Sequence, residues 1–210
     1  MRILPLILLS MLLIVACTAK QPIINTKDNV SSFEFKSACG KLPACQGLNE
    51  TLTWGCCHLA AALNKNPDFC LDAGQFSEAC FAELGGELKQ PTLCSLGGQF
   101  KEDCYYKVAL NVLDTSLCPK VSLDKKESCY STISVMTNNS LNCPKAGSLS
   151  EACYHGVAIN TNNFTMCEKT GQFRNTCIST IAKQTGNSSL CAKLTALKTS
   201  CYEFFNMTSP

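Results

Sequence analysis

Apolar residues recur along most of this chain at helical spacing, in a pattern that repeats about every 24 residues. In most repeats, apolar or aromatic side chains stand four residues before, one residue after and four residues after the second of two cysteines. Residues spaced four apart share one face of an α-helix. The pattern therefore predicts, in every unit, a short helix A of about seven residues and a helix B of about ten residues with one apolar face.

Two cysteines mark each repeat, and their spacing defines an array. They are 10 or 11 residues apart, and the second lies 14 residues before the first cysteine of the next unit. Seven units result, with the pairs Cys45 and Cys56, Cys70 and Cys80, Cys94 and Cys104, Cys118 and Cys129, Cys143 and Cys153, Cys167 and Cys177, and Cys191 and Cys201. Such a period is typical of stacked units that bury their apolar faces on one another. The predicted fold is all-α, a disulfide-stapled α-solenoid of about seven helix-hairpin repeats.

Polar residues and glycines mark the predicted ends of helix A. The residues four positions before the first cysteine of units 2 to 7 are Asn66, Gln90, Asp114, Asn139, Asn163 and Asn187. Most of these side chains can cap a helix N-terminus. The residues four positions after that cysteine include Gly74, Gly98, Gly147 and Gly171. Glycine suits a left-handed residue that closes a helix. Unit 4 has an extra residue between its cysteines and Lys125 where other units have an aromatic residue or leucine, so a local bulge is expected there.

Two further positions are characteristic of helix B. The residue five positions after the second cysteine is small in units 1 to 6: Ala61, Gly85, Ala109, Ser134, Ala158 and Ala182. This column would let neighbouring helices approach closely. The residue directly after the cysteine is Cys57, Phe81, Tyr105, Tyr130, Tyr154, Ile178 or Tyr202. Packing explains the aromatic column most simply, and a binding stripe that includes Trp54 is the alternative.

The regular cysteine spacing allows two disulfide registers, one within units and one between them. Pairing between units would leave Cys45 and Cys201 without partners at opposite ends of the array. Pairing within units uses every repeat cysteine and leaves Cys39 to bond Cys57, which would fasten the incoming chain over the first unit as a cap. The constant 14-residue spacing favours the other register. We expect pairing within units, where each loop of about ten residues contributes about 2 to 3 kcal/mol through chain entropy.

An apolar run at the N-terminus predicts an export signal. Residues 1–16 carry one charge, at Arg2, followed by an apolar stretch that is too short to span a bilayer. Residues 14–17, Ile-Val-Ala-Cys, resemble the lipobox of prokaryotic lipoproteins, in which the cysteine is lipidated. Lipidation of Cys17 would anchor the protein to a membrane. The alternative is cleavage after Ala19 and secretion without a lipid.

The rest of the chain divides into three parts. Residues 17–38 show no sustained helical or strand period and are expected to form a flexible tether behind the anchor residue. Residues 39–205 form the repeat array, and residues 206–210 form a short C-terminal tail. Setting Cys17 aside leaves sixteen of the 17 cysteines, an even number for pairing.

Composition and charge favour an exported protein over one that binds nucleic acid. Seventeen of the 210 residues are cysteine, a density typical of oxidising compartments. The net charge is only +2, and charged residues are scattered through all the units. Nothing in this distribution indicates a nucleic-acid surface. The expected location is outside the cytoplasm, in the cell envelope or at the cell surface.

Six Asn-x-Ser/Thr sequences are candidate glycosylation sites: Asn29, Asn49, Asn138, Asn163, Asn187 and Asn206. Three of them, Asn138, Asn163 and Asn187, fall at the predicted start of helix A in successive units. Stacking would line these three up along one edge of the array.

Residues that commonly carry catalysis or bind metal occur in no typical arrangement. The chain has no Cys-x-x-Cys, Cys-x-Cys or His-x-x-x-His sequence, so we expect neither a metal nor a cofactor. His58 and His155 are the two histidines, and both are expected on the surface of helix B. Cys57 and Cys153 lie beside them but are expected in disulfides, which makes them poor nucleophiles. We therefore assign no catalytic residue, although a pocket that joined either histidine to a carboxylate would favour an enzyme.

Taken together, the cysteine-paired units over residues 39–205 and the lipoprotein-like signal resemble short helical-repeat proteins of archaeal type that are secreted or held in the envelope. The resemblance implies no catalytic residues. We expect a membrane-tethered interaction module with a protein partner and no nucleic acid. The alternative is a stiff, glycosylated spacer without a specific ligand. A one-sided apolar stripe beyond what the core needs would favour the module.

Overall fold

The computed structural model describes residues 39–208. Over this range the chain is helical and contains no β-strand, which confirms the all-α prediction. One α-helix carries the second cysteine of each unit: α1 (Glu50–Asn64), α2 (Ser77–Leu88), α3 (Lys101–Val112), α4 (Leu123–Met136), α5 (Ser150–Asn160), α6 (Arg174–Thr185) and α7 (Lys198–Phe204). Each is preceded by a shorter helical segment that carries the first cysteine, so every unit is a helix hairpin.

The short segment differs from the expected α-helix in type. Units 2, 4, 6 and 7 contain six-residue 3-10 helices, at Pro67–Asp72, Thr115–Lys120, Phe164–Lys169 and Ser188–Lys193. Unit 1 has the 3-10 turn Pro43–Cys45, unit 3 the single α-helical turn Pro91–Cys94, and unit 5 the 3-10 segment Ser140–Leu149. A segment this short cannot complete two turns of α-helical hydrogen bonds, and the tighter 3-10 turn uses the same residues.

The predicted N-caps lie at the junction between units. Five of the six accept a hydrogen bond from the backbone N–H two residues further on: Asn66, Asp114, Asn139, Asn163 and Asn187. Gln90 makes no such bond. The cap residue also donates its own N–H to the small residue of the preceding helix, as from Asn139 to Ser134 at 2.9 Å. The small column and the caps therefore form one repeated turn between units.

The glycines have positive φ as expected, but they do not close a left-handed helical cap. Gly147 has φ 52° and ψ −118°, a conformation that residues with a Cβ rarely adopt. Each glycine instead leads through a short turn into the long helix. In unit 4, Val121 and Ser122 are extended at this point and α4 begins at Leu123, which is the local change that the longer spacing predicted.

Eight disulfides are distributed along the array. Seven lie within a unit, and the eighth joins Cys39 to α1. They join Cys39 to Cys57, Cys45 to Cys56, Cys70 to Cys80, Cys94 to Cys104, Cys118 to Cys129, Cys143 to Cys153, Cys167 to Cys177 and Cys191 to Cys201. The Cα atoms of each pair are 5.3 to 5.7 Å apart, the usual separation for a disulfide. At the front, the backbone N–H of Cys39 also donates to Asp72 of unit 2 at 3.0 Å.

The core extends along the whole array, because each long helix contacts the next one. The column of small residues is buried throughout, and all the disulfide cysteines except Cys56 are buried. Leu84, Ile133 and Ile181, four residues after the second cysteine, are about 1% exposed. The aromatic position four residues before that cysteine is less buried than expected, since Phe100 is 41% exposed. Each unit is therefore fastened by a disulfide and joined to its neighbours by packing.

Candidate interaction surfaces

The first unit exposes three leucines on one side of α1. Leu52, Leu59 and Leu63 are 57%, 60% and 73% exposed. Separations of seven and four residues place them on a common helix face. Relative to the second cysteine of the unit, they stand four residues before, three after and seven after. We call these three side chains the leucine face.

In later units, the same three positions contact the preceding unit. At the position three after the cysteine, the Glu83 carboxylate lies 2.8 Å from Nε2 of His58 in unit 1. At the position seven after it, Asn111 donates to the carbonyl of Gly86 in unit 2 at 3.3 Å. At the position four before it, the Phe76 ring lies 6.5 Å from the His58 ring. The leucine face is thus the surface on which a preceding unit would stack, and residues 39–208 contain no such unit.

The opposite end of the array is more polar. The positions of unit 7 that would face a following unit hold Thr199, Glu203 and Met207, all of them exposed. A polar outer face is usual for a terminal repeat, because it replaces the apolar contact with a neighbour. A terminal unit therefore does not need to expose apolar side chains as the leucine face does.

A row of side chains connects consecutive units, and the sequence interpretation missed it. The row occupies the position two residues before the second cysteine and accepts backbone hydrogen bonds from the hairpin turn of the next unit. The bonds run from Gln99 to Glu78 (3.3 Å), from Ser148 to Glu127 (3.0 Å), from Gln172 to Glu151 (3.3 Å) and from Thr195 to Asn175 (3.0 Å). In unit 1 this position is Trp54, whose indole lies against Gly74. The recurrence of Glu at a fixed distance from the cysteine was the available sequence signal.

A second row consists of lysines that lie over aromatic rings. One lysine of each of units 4 to 7, two residues after the first cysteine, places its ammonium group above a ring of the preceding unit. The distances from Nζ to the ring centre are 5.1 Å for Lys120 over Tyr105, 5.6 Å for Lys145 over Tyr130, 5.2 Å for Lys169 over Tyr154 and 5.4 Å for Lys193 over Phe164. All four lysines are exposed. We call them the lysine row; three of its rings belong to the tyrosine column, which therefore packs between units.

Units 2 and 3 leave a groove between them. Its volume is about 200 Å³, and its lining includes Ala82, Glu83, Phe100, Asp103 and Lys107. Ala82 lines this groove at a position where units 1 and 5 have histidine. Both carboxylates are already engaged, Glu83 with His58 and Asp103 with Lys125 at 2.6 Å. No free hydroxyl or thiol lines it, so it offers shape and charge but no nucleophile.

The two histidines occupy equivalent positions but differ in environment. His58 is half-exposed and pairs with Glu83 across the boundary between units 1 and 2. His155, expected on the surface, has a buried Nε2 without a hydrogen-bond partner in the described structure. Burial lowers the pKa of His155, and its ring packs 5.3 Å from that of Phe173. Within residues 39–208, neither ring is hydrogen-bonded to a serine or threonine hydroxyl that could act as a nucleophile.

At the front of the array, three cysteine sulfur atoms lie as close together as the ligands of a metal site would. The Sγ atoms of Cys39, Cys45 and Cys57 lie within 4.8 Å of one another. All three belong to disulfides, with Cys56 as the fourth partner. A disulfide sulfur is not the thiolate that a metal ion binds, so the proximity reflects two adjacent bridges.

The candidate glycosylation sites within the described range are all exposed: Asn49, Asn138, Asn163, Asn187 and Asn206. Asn163 and Asn187 start helix A as expected, and the amide oxygen of each accepts a bond from the hydroxyl of its own sequon, Thr165 or Ser189, at 2.6 Å. Asn138 differs, because it is the positive-φ residue one position before the cap. Asn29 and Cys17 lie outside the described residues.

Comparison with protein-family models, with curated proteins and with solved structures finds no match to this chain. Function therefore has to be argued from the surfaces described above. The disulfide framework indicates an oxidising, extracytoplasmic environment. Among residues 39–208, no helix is both long and apolar enough to cross a membrane.

Proposed function

We propose that this protein is a membrane-tethered, extracytoplasmic interaction module that binds a helical protein through its leucine face. The observation that carries the proposal is the exposure of Leu52, Leu59 and Leu63, at 57%, 60% and 73%, at positions through which units 2 and 3 contact the unit before them. Full burial of a leucine side chain stabilises by about 1.5 to 3 kcal/mol, so completing the burial of three would contribute several kcal/mol. A structural spacer has no use for this surface.

The repeat itself suggests the chemistry of the partner. In units 2 to 7 the long helix contacts the long helix of the preceding hairpin. A partner that presents an amphipathic helix would meet the leucine face in the same way. Because α1 is fixed to the chain before it by Cys39–Cys57 and Cys45–Cys56, the face is held rigid before the partner binds.

Tethering is supported by the lipobox-like sequence that ends at Cys17 and by the extracytoplasmic character of the disulfides. A lipid at Cys17 would anchor the chain to a membrane through the residues that precede the array. Cell fractionation tests this part. A Cys17→Ala variant should be lost from the membrane fraction. If the variant stays in that fraction as the parent does, the lipid-anchor hypothesis is wrong. A loss of mass on enzymatic deglycosylation would likewise test the sequons.

The partner is tested by cross-linking in the native cells with a photoreactive residue in place of Leu59. A single protein should be captured, and capture should disappear when Leu52 and Leu63 are both changed to Gln. The matched control changes two leucines elsewhere, Leu123 and Leu141, which are 85% and 80% exposed. The control should leave capture intact.

Two outcomes would remove this proposal. One is capture of the same proteins whether or not the leucines are changed. The other is a cross-link from position 59 to residues 18–38 of the same chain, which would make the leucine face an internal packing surface. Either result would leave the spacer as the better account.

A further inference from the structure

The charged residues of the array are distributed unevenly along it. Residues 39–113, units 1 to 3, carry five basic and eight acidic side chains, a net charge of −3. Residues 114–208, units 4 to 7, carry nine basic and six acidic side chains, a net charge of +3. The lysine row lies wholly in the second part. The equivalent positions in units 2 and 3 are Asp72 and Leu96.

The four lysines are not neutralised by carboxylates. The ion pairs in the described part of the chain join His58 to Glu83, Lys125 to Asp103 and Arg174 to Glu168, and none includes a lysine of the row. Glu168 interacts electrostatically with Lys193, but its carboxylate accepts two bonds from Arg174, at 2.7 and 2.8 Å. The row therefore presents four positive charges to solvent.

The aromatic rings give these charges fixed positions. A cation above a ring face is attracted by the ring quadrupole, by about 0.5 to 1 kcal/mol at an exposed site. The lysine side chains are thereby held over Tyr105, Tyr130, Tyr154 and Phe164 rather than sampling every rotamer. Stacked helices are about 8 to 10 Å apart, so the ammonium groups form a line of about 25 to 30 Å with one charge per unit.

From this geometry we infer that the lysine row binds a linear anionic polysaccharide. A single line of evenly spaced charges matches a polymer with one anionic group per repeat, whereas a membrane surface favours a broad basic patch. A single-stranded nucleic acid needs ring faces on which its bases can stack, and here the ammonium groups cover those faces. The inference does not depend on the leucine face, which lies at the other end of the array.

Two of the candidate glycans would be attached at the opposite end of a short helix from a lysine of the row. Asn163 starts its short helix and Lys169 ends it, six residues further on. At about 2 Å per residue of 3-10 helix, the two ends lie about 12 Å apart. Asn187 and Lys193 have the same relation in unit 7.

The test measures binding of fluorescein-labelled polymers to the disulfide-intact protein by fluorescence anisotropy. The probes are dextran sulfate for sulfate groups, polygalacturonate for carboxylates, and neutral dextran as a blank. At least one anionic polymer should bind, and its Kd should rise as salt is added. Changing Lys120, Lys145, Lys169 and Lys193 together to Gln should weaken binding at least tenfold, since an exposed ion pair contributes up to about 1 kcal/mol, about fivefold per lysine.

Two further variants make the result specific. The first changes four exposed lysines of units 1 to 3 to Gln, namely Lys41, Lys65, Lys89 and Lys101, and removes the same charge from the other half. It should alter the Kd by less than twofold. The second changes the four lysines of the row to Arg, which keeps both the charge and the stacking and should retain binding.

Three results would overturn the inference. The first is an absence of binding to either anionic polymer, and the second is an equal loss in both Gln variants. The third is binding to vesicles with anionic headgroups, or to polyuridylate, that exceeds binding to the polysaccharides.

Discussion

The row of acceptor side chains two residues before the second cysteine offers the sharpest test of how the units are joined. Glu127 accepts two bonds from Ser148 of the next unit, from the backbone N–H at 3.0 Å and from the hydroxyl at 2.6 Å. A hydrogen bond to a charged group is worth about 1.5 to 3 kcal/mol, but Glu127 is half-exposed and water can replace part of this. We therefore expect Glu127→Ala to destabilise the turn of unit 5 by about 1 to 2 kcal/mol.

Native-state hydrogen exchange measures this locally, without requiring the whole array to unfold in one step. Exchange of the Ser148 amide should accelerate about fivefold to thirtyfold in Glu127→Ala, in proportion to the lost free energy. Glu102 provides the control. It occupies the same position in unit 3, but it makes no hydrogen bond within the described residues, because the following turn in unit 4 is built differently. Glu102→Ala should leave exchange at the next unit unchanged.

Gly147 allows a double-mutant cycle on the same contact. A Cβ at this residue would collide with the Glu127 carboxylate. In the parent protein, Gly147→Ala should cost the backbone strain of this conformation, about 1 to 3 kcal/mol, and also displace Glu127. In the Glu127→Ala background only the strain remains, so the two changes should cost about 1 to 2 kcal/mol less together than separately. Strict additivity, or equal exchange in the Glu127 and Glu102 variants, would refute the role assigned to the row.

Three further predictions concern backbone strain and titration. Lys89 directly follows α2 at φ 57° and its side chain is exposed, so Lys89→Gly should raise the melting temperature by about 2 to 4 °C, whereas Gly186→Ala, at φ 69°, should lower it. The bonds from Arg174 lower the pKa of Glu168. Their contribution to stability should therefore be present above pH 4.5 and be lost as the pH falls through the pKa of Glu168 in the folded protein. NMR titration of Arg174→Gln should show that the pKa of Glu168 returns to its ordinary value. Burial lowers the pKa of His155, so below pH 6.5 the unfolded state binds the additional proton and stability should fall, a dependence that His155→Phe should abolish in unfolding titrations.

The features that could be predicted from sequence are those decided within one unit or by a strict period. The spacing of the cysteines predicted the disulfide register that the structure contains, because pairing within units gives a partner to every cysteine at the ends of the array and pairing between units does not. Asn139 could be recognised as a cap and Ser134 as a buried small residue, since both roles depend on local chain geometry.

The features that were missed depend on contacts between units. The period shows that the positions of Glu127 and Ser148 recur in each unit. It does not show that hairpin stacking brings these two residues into hydrogen-bond contact. The exposure of Phe100 has the same origin, because its burial depends on the size of Ala82 in the unit before it. His155 was expected on the surface, yet its ring lies between two units, where Phe173 covers it. The leucine face became visible only when the positions that receive a preceding unit were known.

The array separates the positions that hold it together from those that are free to vary. Cysteines recur in every unit and small residues in units 1 to 6, because each disulfide closes its own hairpin and each small residue allows the next unit to approach closely. Outside these columns, residues can change from unit to unit without loss of the fold, as Asp72, Leu96 and Lys120 do at one position. Three exposed leucines at one end and four lysines in the last four units are differences of this second kind. Since stacking does not require these residues, the variants proposed for both surfaces should fold, and a loss of binding in them would report on recognition rather than stability.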